Sequence, residues 1–271
     1  MGELTSGPYA HEKMMAEQTM ERSLHFQAAA IWPKERLLFE AKGLHRQRRI
    51  GDLGCGTGEI SSRLAESYAG GEIVGLDLLP ASVDLARNRF GHLTNLNFQV
   101  GDVTASPFAD NYFDLTLNRH MLQVVPDPIK VIREMSRITK PGGTLYFLSE
   151  DYGMLHCSGA MVEPFWYDCY RATLKRGTDL FIGRKTVWLL RHIGLRRVQV
   201  DYVSLDNLNT DPTLLQGMFQ NWKDGYAAFL AEQTGRSVGE IRENFDAMIE
   251  TALDPNEYVV WHVPIITAVN A

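Results

Sequence analysis

Ile50-Gly51-Asp52-Leu53-Gly54-Cys55-Gly56-Thr57-Gly58 is the stretch that decides the architecture. An apolar run ends in an acid and opens into a turn with glycine at 54, 56 and 58, after which Ile60, Leu64 and Ala65 fall on one helical face. The pattern reads as strand, tight turn, helix. Glycines at such a corner permit positive φ and let backbone approach a ligand, beside a helix N-terminus whose free N–H groups can receive it.

Outward from this corner, short runs rich in apolar and β-branched residues alternate with helical patterns to about residue 150, the mark of a parallel sheet wound by helices. Strands are predicted near Arg49–Leu53, Glu72–Leu78, Leu96–Gly101, Phe113–Asn118 and Gly143–Ser149, with later ones near Arg197–Ser204 and Tyr258–Val269. Pro80 suits a first helical position, and Lys140-Pro141-Gly142-Gly143 should stop the helix begun near Asp127. Two segments lie outside this alternation. Residues 1–45 precede the first strand and include a helix expected from Pro33 to Gly43. Residues 205–255 carry a stripe through Leu215, Met218, Phe219, Trp222, Tyr226, Phe229 and Leu230, then a capping box at Ser237 and Glu240 opening a helix that Asp254-Pro255 ends. The expected organisation is an N-terminal helical lid over 1–45, a core over 46–204 and 256–271, and a helical cap inserted over 205–255.

The acids that follow the glycine turn carry more information than the turn itself. Asp77 closes the next strand 19 residues after Gly58, where a carboxylate can take both hydroxyls of a ribose. Asp102 closes the third strand and could accept from an exocyclic adenine amine. Asp52, Asp77 and Asp102 thus stand at the carboxyl ends of adjacent parallel strands, where open α/β sheets bind ligands. A nicotinamide dehydrogenase is the first rival. It is disfavoured by the acid in front of the glycines, by Ser61 at the third fingerprint position, and by Asp102, which has no role in that fingerprint.

With Phe113-Asp114-Leu115 and Lys140-Pro141-Gly142-Gly143 added, the order and spacing of these residues resemble the class I S-adenosylmethionine-dependent methyltransferases over about 100 residues. The resemblance implies a Rossmann-like, mostly parallel seven-stranded sheet with helices on both faces and an antiparallel last strand. It implies S-adenosylmethionine as cofactor, S-adenosylhomocysteine as product, and roles by position. The turn from Gly54 through Cys55 and Gly56 to Gly58 would meet the methionine portion, with Asp52 on its amine. Asp77 would hold the ribose, Leu78 would pack on the adenine, Asp102 and Val103 would bind the adenine edge, and Asn118 would close the site near the amino acid moiety.

The reaction implied is methyl transfer to oxygen or nitrogen of a small molecule, an in-line displacement that a dry, aligning pocket accelerates. A base is useful to a weakly acidic acceptor. His120, just past the fourth strand, is the first candidate and His156 the second. Tyr152, Trp166, Tyr167 and Trp222 are the expected acceptor pocket, and Tyr9 and Arg22 could fold over the cofactor. Glu150 beside Asp151 could bind magnesium, but the fourth strand end offers no acid to join them, and no metal is expected. The formal charge of −6 excludes a general nucleic-acid field and leaves only Arg46, Arg48 and Arg49 as a basic cluster. Cys55, Cys157 and Cys169 contain no C-x-x-C pair and suit a reducing compartment. A cytoplasmic enzyme is expected, with a small-molecule acceptor as partner, no nucleic acid and no membrane, and a homodimer left open. Methylation of tRNA or protein, and cofactor binding without catalysis, are the alternatives.

Overall fold

Along the fifth strand, Tyr146 and Leu148 point to one face and Leu145 and Phe147 to the other, and all four are buried. That two-sided burial requires helices above and below the sheet. The computed structural model describes residues 17–159 and 162–271, with side chains from 21 onward. Strands β1 (Arg49–Leu53), β2 (Glu72–Asp77), β3 (Leu96–Val100), β4 (Phe113–Arg119) and β5 (Thr139–Leu148) run parallel in the order β3-β2-β1-β4-β5. β8 (Val259–Val269) lies antiparallel between β5 and β7 (Arg196–Asp206).

The strand count differs from expectation by one. Leu155–Cys157 forms a short strand, β6, against Val259, Val260 and Trp261, so the sheet has eight strands rather than seven. Three residues give too weak an alternation to be read from sequence. β5 also starts at Thr139, four residues early. Its register slips between Phe113 and Leu115 opposite Gly142, whose φ is +76°.

Helices α2 (Glu59–Ser67), α3 (Pro80–Phe90) and α4 (Pro128–Ile138) connect the parallel strands, α4 capped by the Asp127 side chain. α4 and α6 (Ile182–His192) cover one face with Val131, Ile132, Met135 and Leu190; α1 (Glu17–Ala41) and α2 cover the other with Ile31, Phe39 and Leu64. The helix expected over 33–43 therefore begins at Glu17 and carries Pro33 inside it. The missing N–H of Pro33 did not end it, because a helix packed along its length can tolerate the loss.

α5 (Val162–Leu174), α7 (Pro212–Thr234) and α8 (Val238–Leu253) stack over the carboxyl side of the sheet, and α1 lies against α7. Gly217 makes the approach close: a Cβ there would overlap the Phe26 ring. The capping box of α8 forms as read, Ser237 Oγ accepting from the Glu240 N–H and Glu240 returning to the Ser237 N–H.

Candidate active site

Where β1 gives way to α2, Gly54, Gly56 and Gly58 all adopt positive φ, at +83°, +51° and +82°. The space is as demanding as the backbone. A Cβ on Gly58 would sit 2.7 Å from Phe98 and one on Gly54 2.5 Å from Met121 Sδ. Leu76 O accepts from the N–H groups of Gly54 and Cys55, which bends the turn back over β2. Asp77, at the end of β2, accepts from the Gly56 N–H at 2.7 Å and the Leu79 N–H at 3.0 Å. Burial pushes its carboxyl up, against the pull of those N–H groups.

Asp52 is buried behind the turn, and its Oδ2 accepts from Ser61 Oγ at 2.6 Å. Burial raises its carboxyl to about 6, a shift that Ser61 and the Arg119 charge reduce. The cleft in front of Asp52 is walled by Gly54, Cys55, Gly56, Arg119 and His120, and closed over by Leu24, Gln27 and Ala28 of α1. α1 is fastened there by a buried pair: Arg119 donates to Glu35 through Nε at 3.0 Å and Nη2 at 2.7 Å, and Tyr146 OH donates to the same carboxylate at 2.8 Å.

Asn118, also buried, donates to Leu53 O at 2.6 Å. Asp102 accepts from the N–H and hydroxyl of Thr104, and Leu78 and buried Val103 stand at neighbouring strand ends. The cofactor-binding residues read from sequence therefore converge on the carboxyl edge of β1 to β4. Arg22 is exposed on α1, Tyr9 lies outside the described residues, and Arg49 starts β1 at the opposite end and pairs with Glu72.

A second cleft adjoins the first, lined by Gln123, Val124, Glu150, Tyr152, Trp166 and Thr178, with Tyr226, Phe229 and Leu230 from α7. Its walls are mostly apolar. Three buried polar atoms in it, Gln123 Oε1, Trp166 Nε1 and Thr178 Oγ, have no partner among the described residues. His120 lines the first cleft and is bonded to Gln123 and Glu150, which line the second; its φ is +53°, a costly conformation for a residue with a Cβ. Its Nδ1 lies 2.5 Å from Glu150 Oε1, and Nε2 is buried without a partner among the described residues. Gln123 holds both, donating to His120 O at 2.7 Å and to Glu150 Oε2.

Several expected residues fall elsewhere. His156 is half-exposed on β6, 2.8 Å from Glu163, and lines neither cleft. Tyr167 is 40% exposed and packs edge-on to Phe181, because a helix cannot turn both it and adjacent Trp166 inward. Trp222 is wholly buried; it lines neither cleft but braces Tyr152 and Trp166, with ring centroids 5.2 and 6.1 Å away. Glu150 and Asp151 diverge, the first to His120 and the second to a two-pronged pair with Arg184 at 2.7 and 2.8 Å. The role of Glu150 beside His120 was missed, although both residues follow the ends of paired strands, Arg119 lying opposite Leu148.

A parallel sheet with a glycine turn and acids at successive strand ends defines a nucleotide-type cofactor domain. Residues 51–147 match the family described as Methyltransferase domain, in line with the class I S-adenosylmethionine-dependent pattern that this stretch resembles. Among similar proteins is the ubiquinone/menaquinone biosynthesis C-methyltransferase UbiE of Pectobacterium atrosepticum, 31% identical over 133 residues, 48% of this chain and 52% of that one. The chain thus spans about half the length of the curated relatives it matches. Solved structures share the fold at low identity. The [4+2]-cyclase SpnF has a TM-score of 0.51 at 21% identity, over 82% of this chain and 75% of that one. Phosphoethanolamine N-methyltransferase 2 of Haemonchus contortus has 0.52 at 18%, over 82% and 48%. Among the described residues no helix is long and apolar enough to cross a membrane.

Proposed function

We propose that the chain methylates a small-molecule acceptor, with S-adenosylmethionine in the cleft beside the glycine turn and the acceptor in the aromatic cleft beyond His120. The observation that carries the reading is that His120 lines the first cleft while bonded to Glu150 of the second, with Nε2 buried and without a partner among the described residues. When bound, S-adenosylmethionine supplies an electrophilic methyl whose bonding pair returns to sulfur.

The residues present suit that group. The turn from Gly54 to Gly58, where added side chains would intrude, would admit the methionine portion, and Asp52, held as a buried acceptor, would take its ammonium. Asp77 would exchange the Gly56 N–H for ribose hydroxyls, with Leu78 on the adenine face, Asp102 and Val103 at its edge, and Asn118 holding the floor through Leu53 O. Residues 1–45 would act as lid and 205–255 as cap, so that α1 closes the first cleft and α7 roofs the second.

His120 would accept a proton from the acceptor as its nucleophilic atom attacks. The mostly apolar, aromatic lining of the second cleft favours a small acceptor, and Arg49 of the basic cluster lies at the far end of β1. Oxygen and nitrogen are the expected target atoms; the C-methyltransferases among the relatives add carbon.

The test is transfer of labelled methyl from S-adenosylmethionine across a panel of phenolic, enolic and amine acceptors. His120→Ala should lower turnover at saturating cofactor roughly 100-fold or more, the usual span for a positioned base. Unaltered turnover would make His120 structural. Cofactor binding without transfer to any acceptor would favour a non-catalytic use of the fold or, as in the cyclase neighbour, another reaction.

A further inference from the structure

We infer that Glu150 is a positioning residue that locks His120 in the tautomer with the proton on Nδ1, which leaves the lone pair on Nε2, beside the first cleft that His120 lines. This rests on the proposed base role of His120.

Five observations converge. Nδ1 and Glu150 Oε1 are 2.5 Å apart, and a carboxylate can only accept, so the proton between them belongs to the imidazole. Glu150 is 2% exposed, deep enough that its bonds are not exchanged with water. Its second oxygen is held by Gln123, which also grips the His120 carbonyl, so the carboxylate cannot rotate away. His120 keeps φ +53°, and a strained conformation persists only where surrounding contacts over-determine it. The remaining ring nitrogen is buried and has no partner among the described residues.

The proton inventory is simple. The acceptor X–H bond breaks, its proton goes to Nε2, and the pair left on X forms the bond to the methyl carbon. Nδ1–H stays on Glu150, whose charge faces the imidazolium so formed. Glu150 touches neither proton nor methyl in this step. Tyr152 and Tyr226 lie close to the same carboxylate, and burial and its charge push both phenols up, so neither competes as a proton source.

The experiment uses the full chain saturated with S-adenosylhomocysteine, labelled with 15N-histidine, and compares the parent with Glu150→Gln and Glu150→Leu. Ring nitrogen shifts report the tautomer directly, and thermal unfolding runs in parallel. In the parent, His120 should show a protonated Nδ1 and a bare Nε2 at neutral pH. Glu150→Gln, nearly the same shape, should keep the cofactor affinity within twofold and shift the population toward protonated Nε2, because its amide can donate to Nδ1. Glu150→Leu removes the acceptor altogether and should do the same if it folds. A parent with Nε2 protonated, or a Glu150→Gln protein with unchanged nitrogen shifts, would overturn the proposal. So would a variant that loses thermal stability while its tautomer stays, since that would leave Glu150 a purely structural partner. Failure of the parent to bind S-adenosylhomocysteine would instead strike the cofactor reading, and is scored separately.

Discussion

Replacing Glu35 by alanine should be among the most damaging single changes in α1. The Arg119 and Glu35 side chains are 6% and 1% exposed, so the pair needs no discount for solvent screening. Alanine would leave a guanidinium buried without its carboxylate and the Tyr146 hydroxyl without its acceptor. Breaking one side of a buried pair costs about 3–5 kcal/mol, mostly the price of an uncompensated charge. For a chain of this size that corresponds to a fall in Tm of about 10 °C. Urea unfolding followed by tryptophan fluorescence would measure it, a lower midpoint at unchanged slope giving the loss directly. Glu35→Gln, which keeps the shape and one acceptor, should lose roughly half as much. A loss below about 1 kcal/mol for Glu35→Ala, the level of an exposed pair, would refute the claim that this pair fastens α1 over the first cleft.

Asp77→Ala should weaken S-adenosylhomocysteine binding about 100-fold, on the order of 3 kcal/mol for two charge-assisted bonds to a ribose, while the circular dichroism spectrum is retained; parental affinity would remove the ribose assignment. Binding should also fall in acid. Asp52 has its carboxyl raised to about 6, so in the ligand-free protein it is mostly protonated at pH 5, and a ligand ammonium that prefers the carboxylate must expel that proton. Affinity at pH 5 should therefore be about tenfold weaker than at pH 7.5; a flat profile in the parent, or an acid loss that persists in Asp52→Asn, would contradict it. The stability of the free protein runs the other way. A folded value above the unfolded one means the folded state holds more protons between about pH 4 and 6, so this group's contribution is present in acid and is lost as pH rises through that window. Asp52→Asn should consequently stabilise the free protein at pH 7. Gly217→Ala should destabilise by about 1–3 kcal/mol despite its better helix propensity, because the new Cβ overlaps the Phe26 ring and parts α7 from α1; a more stable protein would show that the two helices adjust freely.

What could be read from sequence was local or periodic. Asp52 through Gly58 gave the turn because only glycine suits three positive φ values in five residues, and Asp77 and Asp102 followed from strand ends a regular distance apart. Ser237 with Glu240 is a cap whose chemistry lies within four residues. What could not be read depends on pairings across the chain. Glu35 meets Arg119 across a sequence separation of 84, and Glu150 meets His120 only because β4 and β5 are neighbours in the right register. The same dependence misplaced His156, whose residue type suited a base but whose strand turned it outward to Glu163. Trp222 shows the limit of counting aromatics: a helical stripe tells which residues are buried, and only packing tells which of them face a cavity.

Calorimetric titration of the purified chain with S-adenosylhomocysteine and, separately, with NADH tests the cofactor assignment on which everything from Asp52 to Glu150 depends. Micromolar binding of S-adenosylhomocysteine with no heat from NADH is expected. Binding of NADH alone would contradict the methyl-donor reading from Gly54 onward.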